Sequence, residues 1–413
     1  MDSVEEHLAR CLAGVELLAP REVPLPQAHG CLLAEDVVAT HALPPFANSA
    51  MDGYAVVVND LVHAAADAPV ELPVAGDVPA GPGEPLRLQP GSVIRVMTGA
   101  PVPLGTQGVV PVEWTDGGTS TVRITQAPSP GQFLREAGED VQPGAVVLRA
   151  GVRLTGRQLG LLAAVGRDRV LVHPRPRVVL LPTGSELVPP GTALLPGQIH
   201  DSNGYALAAA ATEAGGLGRH DGFVGDDEDD VRAALLEATR EADLLVTTGG
   251  VSAGAYDPVK AVLAEQFWFG KVAMQPGMPQ GFGRLEDPTG RPVPVLTLPG
   301  NPVSCLVSFE LFGAPLVRVM SGRPAAGRPT VEAVAERGWA SPKGKRQFVR
   351  VVLTPPAGPG ERAGVRPVGA QGSHLIADLA EANALAIVPE DVEQVHAADV
   401  LSCIVLDTDP VLG

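Results

Sequence analysis

Thiols are scarce in this chain of 413 residues. Its four cysteines, Cys11, Cys31, Cys305 and Cys403, lie far apart and form no C-x-x-C pair. That argues against a disulfide framework or a thiolate zinc site. Cations are also in short supply: 30 Lys and Arg stand against 47 Asp and Glu, a net charge of −17, with a pI of about 4.9. The mean field of so acidic a chain repels nucleic-acid backbone and anionic lipid. Neither is an expected partner, and any anion must be held by a local site. No apolar stretch reaches the roughly 18 residues of a membrane span. The N-terminus, MDSVEEHLAR, has no basic region followed by an apolar core, so a signal peptide is not expected. These absences leave a soluble, cytoplasmic protein, whose length gives a prior of two to four domains.

Hydrophobic residues make up 45% of the chain, enough for several cores. Glycine (48) and proline (41) are abundant and spread between apolar segments, which reads as many turns rather than disorder. Val4, Leu8, Cys11, Leu12, Val15 and Leu18 recur at helical spacing, and Ser3 with Glu6 fits a capping box. From about 22 to 155 the pattern becomes short apolar runs cut by Gly and Pro, the grammar of strands and tight turns. GVRLTGRQLGLLAAVG then predicts a helix. Beyond Pro174 and Pro176, RVVLL, DLLVTTGG and PVPVLTLPGNP alternate with helical segments at SNGYALAAAATEAGG, Asp227 to Arg240 and PVSCLVSFELF. Strands apolar on both faces that alternate with helices indicate a parallel α/β sheet covered on both sides. After Gly322-Arg323-Pro324 the chain returns to short β segments.

In such a sheet ligands bind beyond the carboxyl ends of the strands. Three loops qualify: Pro182-Thr183-Gly184-Ser185-Glu186, Thr247-Thr248-Gly249-Gly250-Val251-Ser252 with Asp257 following, and Pro299-Gly300-Asn301-Pro302-Val303-Ser304. In the third, Asn301 suits a helix N-cap and Pro302 the first helical position. Free N–H groups of Val303, Ser304 and Cys305 would then face an anion, which Gly300 lets approach closely. For any one loop an ordinary capped turn is the simpler explanation. Two adjacent loops carrying amide and hydroxyl donors favour phosphate. Neither is a Walker A or G-x-G-x-x-G pattern. Carboxylates surround the same edge: Glu186, Asp201, the run Asp226 to Asp230, and Asp257. Magnesium takes one or two carboxylates plus water and substrate oxygens, and Asp226 or Asp227 with Asp257 fits that need. Glu228 to Asp230 are explained by a helix N-terminus, and Asp257 before Pro258 also suits a plain helix cap. The segment from Pro44 to Ala55, PPFANSAMDGYA, follows neither period, and fits a ligand- or subunit-reading loop and a packed connection equally well.

On PPFANSAMDGYAV, RVMTGAPVP, REAGEDVQPG, PTGSELV, DSN, TTGGVSAGAYD, PGNPVS and GSHLIADLAEANALAIVP, in that order, the chain resembles the molybdopterin molybdotransferases, the MoeA family, and is similar to the gephyrin E domain. Ala47 stands where the family typically has Asp. The resemblance implies an elongated multidomain protein: a central parallel α/β sheet domain covered by helices, an inserted β-domain and a C-terminal β-barrel-like domain. Its implied boundaries are 1–43 plus 138–174, 44–137, 175–322 and 323–413. It implies a homodimer with the active site between subunits, and transient contact with other molybdenum-cofactor biosynthesis proteins. The implied reaction is magnesium-dependent insertion of molybdate into adenylylated molybdopterin, with release of AMP. Family positions carried over are Asp52, Thr98, Glu186 and Lys271 as catalytic residues, and Asp226 and Asp257 as magnesium ligands. Thr248, Gly249, Gly250, Ser252, Pro299, Gly300, Asn301, Pro302, Ser304 and Ser373 bind substrate, with Arg350 or Arg346 as the C-terminal arginine. Asp140 also falls on a functional position. Gln275 and Met278 replace lysines that family members often carry. Two other functions compete, a gephyrin-like binding scaffold without turnover and a metal-dependent nucleotide pyrophosphate hydrolase.

Overall fold

The computed structural model describes residues 1–84, 86–251, 257–356, 358 and 360–407. Two compact units emerge, one formed by 1–21 with 173–413 and the other by 22–172. In the first, Ser3 Oγ accepts from Glu6 N at 3.1 Å and Glu6 Oε2 from Ser3 N at 2.7 Å, closing the capping box of helix Val4–Leu12. This helix packs His7 and Cys11 into the core of the same unit, beside Trp268 and Phe312.

The central sheet of that unit has six strands: β1 (Arg177–Pro182), β2 (Leu217–His220), β3 (Leu244–Thr248), β4 (Trp268–Lys271), β5 (Pro279–Glu286) and β6 (Pro292–Leu298). Their order is β2-β1-β3-β6-β5-β4, with β2, β1, β3 and β6 mutually parallel. β5 runs antiparallel to both its neighbours, β6 and β4, a departure from the all-parallel expectation. The cause is local. Asp287 accepts from Thr289 N and Oγ1 and from Arg291 N and Nε, which reverses the chain in a tight turn between β5 and β6. Those bonds, the Thr289 hydroxyl first, hold its carboxyl well below the usual carboxylate range.

One face of the sheet buries Val178, Leu180, Leu244, Val246 and Leu296 under helix Asn203–Glu213 and the long helix from Pro302. The other face buries Val179, Leu245 and Val295 against helices Glu228–Thr239 and Pro258–Leu263. Gly218 permits the close approach of the alanine-rich helix, since a Cβ there would lie 2.0 Å from Ala208 O. Pro302–Met320 runs as one helix of 19 residues, long and apolar enough to cross a membrane by length and composition, though Glu310 and Arg318 interrupt it. It is 78% buried within the protein, as a core helix is.

The C-terminal strands close on themselves: β7 (Thr330–Ala335), β8 (Arg346–Thr354), β9 (Ala363–Pro367), β10 (Ala384–Val388) and β11 (Val400–Val405) pair in the cycle β8-β9-β7-β11-β10-β8. Its interior is lined by small or β-branched residues such as Ala333, Val349, Ala386 and Cys403, which suit a narrow barrel.

The second unit, 22–172, holds a five-stranded sheet ordered Gly108–Pro111, Gly53–Val56, Val93–Val96, Val70–Val78, Thr121–Ile124. Within PPFANSAMDGYA, Asn48–Ser49 is a short strand paired with Leu134–Arg135, and Gly53 opens a sheet strand. A Cβ on Gly53 would meet Val110 O at 2.0 Å, so only glycine admits this strand pairing.

His7 is fully buried, and desolvation, reinforced by the Arg10 charge, lowers its pKa to about 4. Between pH 4 and 6.5 the unfolded chain therefore binds a proton that the folded one refuses. The stability that neutral His7 preserves is complete above pH 6.5 and is lost as pH falls toward 4, by roughly 3 kcal/mol. Urea unfolding across this range should show that slope in the wild type. His7→Phe should flatten it, and an equal slope in both proteins would contradict the assignment.

Candidate active site

The strand order places a topological switch between β1 and β3, since the chain leaves β1 for β2 on one side and crosses to β3 on the other. Loops part there and leave a crevice beyond the strand ends. A cavity of about 1080 Å³ opens at this edge, at the upper end of ligand sites, which run roughly 300–1,000 Å³. Glu186, Asp226, Thr248, Gly249, Gly250, Asp257, Pro299, Gly300, Asn301 and Pro302 all line it. Three loops distant in sequence thus meet as their spacing suggested.

Glycine geometry shapes the floor. Gly249 and Gly250 have φ of +88° and +71°, a left-handed pair open to glycine alone in practice. A Cβ on Gly249 would stand 2.8 Å from Thr183 O, and one on Gly250 would stand 2.6 Å from Val259 Cβ and 2.9 Å from Asp257 Oδ1. Thr183 N and Oγ1 both donate to Thr248 O, at 2.9 and 3.1 Å, which binds the first loop to the second. Gly249 N donates to Leu298 O at 3.0 Å, which ties the second to the third.

The two neighbouring acids separate by role. Asp227 caps helix Glu228–Thr239, its Oδ1 accepting from Asp229 N and Asp230 N at 3.0 and 3.1 Å. Asp226 faces the cavity and is fixed by a reciprocal pair with Ser185: Oδ2 accepts from Ser185 N, and Asp226 N donates to Ser185 Oγ, both at 3.1 Å. Asp201 is 3% exposed, accepts from Gly204 N at 3.0 Å, and lies 2.9 Å from His220 Nε2.

The third loop differs from its expectation. Asn301 precedes the helix, but its side chain does not cap it; Nδ2 donates to Ser373 Oγ at 2.9 Å. Val303 N is taken by Ser373 O at 3.1 Å, and Cys305 N by the helical carbonyl of Asn301 at 2.9 Å. The reason is tertiary: the 371–375 loop from the barrel docks on this helix start, so Val303 and Cys305 offer no open donors. Ser304 is buried at the third helical position, away from the cavity wall.

Arg350 is 1% exposed and spends its guanidinium on the carbonyls of Leu375 and Ala370, holding that same loop. Arg346 is engaged by Glu5 and Glu390. Lys271 is exposed on the edge strand and paired in register with Pro279, which lines the cavity. Asp52 and Thr98 belong to the 22–172 unit, where Asp52 Oδ1 accepts from Thr98 N at 2.6 Å and Thr98 Oγ1 at 2.8 Å. These bonds, the backbone one first, hold Asp52 below its ordinary pKa, so it is a stable anion at neutral pH. Asp140 lies in the same unit, where it lines a smaller cavity of about 430 Å³ with Val141 and Leu161. Ser252 falls outside the described residues. Asn203 and His374, which sequence reasoning missed, also line the main cavity. The only signals that could have found them are the place of Asn203 at a helix start and the adjacency of His374 to Ser373.

Four carboxylates line the cavity, and among the described residues no Lys or Arg does. Oxygen donors of this kind fit magnesium, which is satisfied by one or two carboxylates with water and phosphate oxygens. Among the described residues no group of three or more ligating side chains closes on one point, so substrate oxygens must complete any such coordination.

Three family models match in order: the MoeA N-terminal region (domain I and II) at 2–166, a probable molybdopterin binding domain at 179–319, and the MoeA C-terminal region (domain IV) at 332–406. Molybdopterin molybdenumtransferase 2 of Mycobacterium tuberculosis is 47% identical over 405 residues, spanning 96% of this chain and 98% of the relative. This chain belongs to the MoeA family of molybdopterin molybdenumtransferases. Molybdopterin molybdenumtransferase 1 of the same organism is 39% identical over 97% of this chain and 98% of its own. A crystal structure of a molybdopterin biosynthesis MoeA protein from Pyrococcus horikosii superposes with a TM-score of 0.70 at 30% identity, covering 98% of this chain and 99% of that one. As a MoeA-family member the chain is a transferase of molybdenum-cofactor biosynthesis.

Removing the guanidinium of Arg350 strands two inward carbonyls of the docked loop. Arg350→Met should lower stability by about 1–3 kcal/mol in urea unfolding, with Arg350→Lys recovering part. An unchanged midpoint would show that the loop holds itself.

Proposed function

We propose that this chain inserts molybdate into adenylylated molybdopterin, in a magnesium-dependent reaction that releases AMP. The observation that carries the reading is the convergence of Glu186, Asp226, Asp257 and the Gly249–Gly250 and Pro299–Pro302 loops on one cavity, in a chain 47% identical to a curated transferase over nearly its whole length.

The chain's own groups have distinct tasks. Gly249 and Gly250 let the backbone lie against a phosphate without a Cβ in the way. Pro299 and Pro302 stiffen the opposite lip, and Thr248 offers a hydroxyl between them. Glu186, at the turn whose Gly184 admits its carboxylate, is the group to take the proton of an attacking water as the adenylyl–phosphate link is cleaved. Asp226 and Asp257 would hold magnesium, which supplies the positive charge that offsets the phosphate and molybdate oxygens. Lys271 draws the incoming oxyanion toward the edge, and Ser373 holds Asn301 in place. Arg350 acts on substrate only through the loop that it braces.

The site is completed, on this reading, by a second copy of the chain in a homodimer, whose Asp52 and Thr98 rim supplies an ordered carboxylate. On this reading the chain falls into four domains, 1–43 with 138–174, 44–137, 175–322 and 323–413, the first of which draws on both compact units. The reaction takes place in the cytoplasm, with transient docking of the proteins that deliver the pterin and accept the cofactor.

Purified protein given adenylylated molybdopterin, magnesium and molybdate should release AMP in a molybdate-dependent manner. Folded protein that binds peptide ligands without turnover would favour the scaffold reading, and turnover of simple dinucleotides would favour a hydrolase. Asp257→Asn should lower magnesium-dependent turnover at least tenfold while leaving the unfolding midpoint unchanged. Mixed dimers of Asp52→Ala and Asp257→Asn chains should regain part of the activity that each homodimer lacks. Complete inactivity of the mixture would sink the cross-subunit arrangement.

A further inference from the structure

Asn203 is the first residue of helix Asn203–Glu213, yet its side chain leaves the helix. Nδ2 donates to Gly300 O at 2.7 Å and reaches Thr248 Oγ1 at 3.4 Å. One amide thus touches the second and third strand-end loops at once. Those loops are in direct contact: a Cβ on Gly300 would lie 3.5 Å from Gly249 Cα. Asn203 itself is held by its helix start. Asp201, buried two residues earlier, accepts from Gly204 N at 3.0 Å and lies 2.9 Å from His220 Nε2. Tyr205 stacks edge-on against His220 at 4.9 Å between centroids. The brace is therefore anchored in β2 and the helix, and it acts on loops that have left β3 and β6.

We infer that Asn203 is a positioning residue for the transfer reaction. Its amide sets the spacing between the Thr248–Gly250 and Pro299–Asn301 loops, and so the direction in which their backbone donors face the substrate's phosphate. The carbonyl of Gly300 is the lever. Held by Asn203, that peptide cannot turn its oxygen into the cavity, where it would repel an anion. An aspartate at this position would keep the size but lose the donor, and would push the Gly300 carbonyl away.

The inference rests on the proposed transferase reading for its ligand, but its first test does not. In ligand-free protein, hydrogen exchange at Gly249, whose N–H donates to Leu298 O, should quicken at least tenfold in Asn203→Ala, with the unfolding midpoint unchanged. Asn203→Gln, which keeps an amide donor, should restore slow exchange in part. In the presence of magnesium, AMP should bind Asn203→Ala about tenfold more weakly than wild type by calorimetry, again with partial rescue by Gln. Exchange equal to wild type in the Ala variant overturns the inference, whatever AMP does. Faster exchange sustains it even if wild type binds no AMP, an outcome that would count against the transferase reading instead. Should Asn203→Ala fail to fold, Asn203→Ser, which lacks the reach to Gly300, is read by the same exchange measurement.

Discussion

An anionic guest in an acidic cavity is the constraint on which the site turns. Glu186, Asp201, Asp226 and Asp257 line the crevice, and no guanidinium or ammonium among the described residues shares that wall. Phosphate attraction must therefore come from backbone dipoles, from a divalent cation, and from groups brought to the rim. That division of labour explains why glycines rather than lysines occupy the floor. A side chain at Gly249 or Gly250 would collide with Thr183 O or Val259. It explains, too, why Asp226 is pinned by Ser185 while Asp227 is used up as a cap. On the proposed reading, a carboxylate that shares a cation with substrate oxygens has to be held in one place before either arrives.

The rest of the unit supports that edge. Four parallel strands, three of them buried on both faces, carry their loops to one end, and the order β2-β1-β3-β6 opens the crevice between β1 and β3. Bonds then run from loop to loop: Thr183 to Thr248, Gly249 to Leu298, Asn203 to Gly300, Asn301 to Ser373. The barrel takes part through the 371–375 loop, which Arg350 braces from within. A binding surface made of loops gains rigidity here because each loop is the hydrogen-bond partner of the next.

Much of this was foreseeable from residue patterns. Apolar runs bounded by Gly and Pro announced β1, β3 and β6, and Ser3 with Glu6 announced the first capping box. Asp227, followed by three acids, announced a helix start. What the patterns missed is tertiary. Asn301 before Pro302 reads as a capping residue in any linear scan, yet a loop some 70 residues away takes both its amide and the Val303 N–H. Arg350 reads as a cation for an oxyanion because nothing local marks it as buried. Asn203 carries only the weak signal of a polar residue at a helix start. The antiparallel β5–β6 hairpin was hidden because Asp287-Pro288-Thr289-Gly290-Arg291 spells a turn without stating which strands it joins.

The cation question also bears on Gln275 and Met278, at positions where the family resemblance leads one to expect lysine. Gln275 pairs with Gln347 in a short parallel bridge between the α/β sheet's margin and the barrel. Gly277 O, two residues on, accepts from the buried Gln280 amide, which also donates to Ser308. This segment is therefore built as a strut between the sheet and the barrel. With Arg346 claimed by Glu5 and Glu390, and Arg350 by carbonyls, Lys271 is left as the exposed ammonium beside the β5 strand that reaches the cavity. A positive charge on a solvated edge attracts an oxyanion over a Debye length of about 8 Å at physiological salt. On the proposed reading it steers without desolvating, and leaves tight capture to open backbone amides and a divalent ion further in.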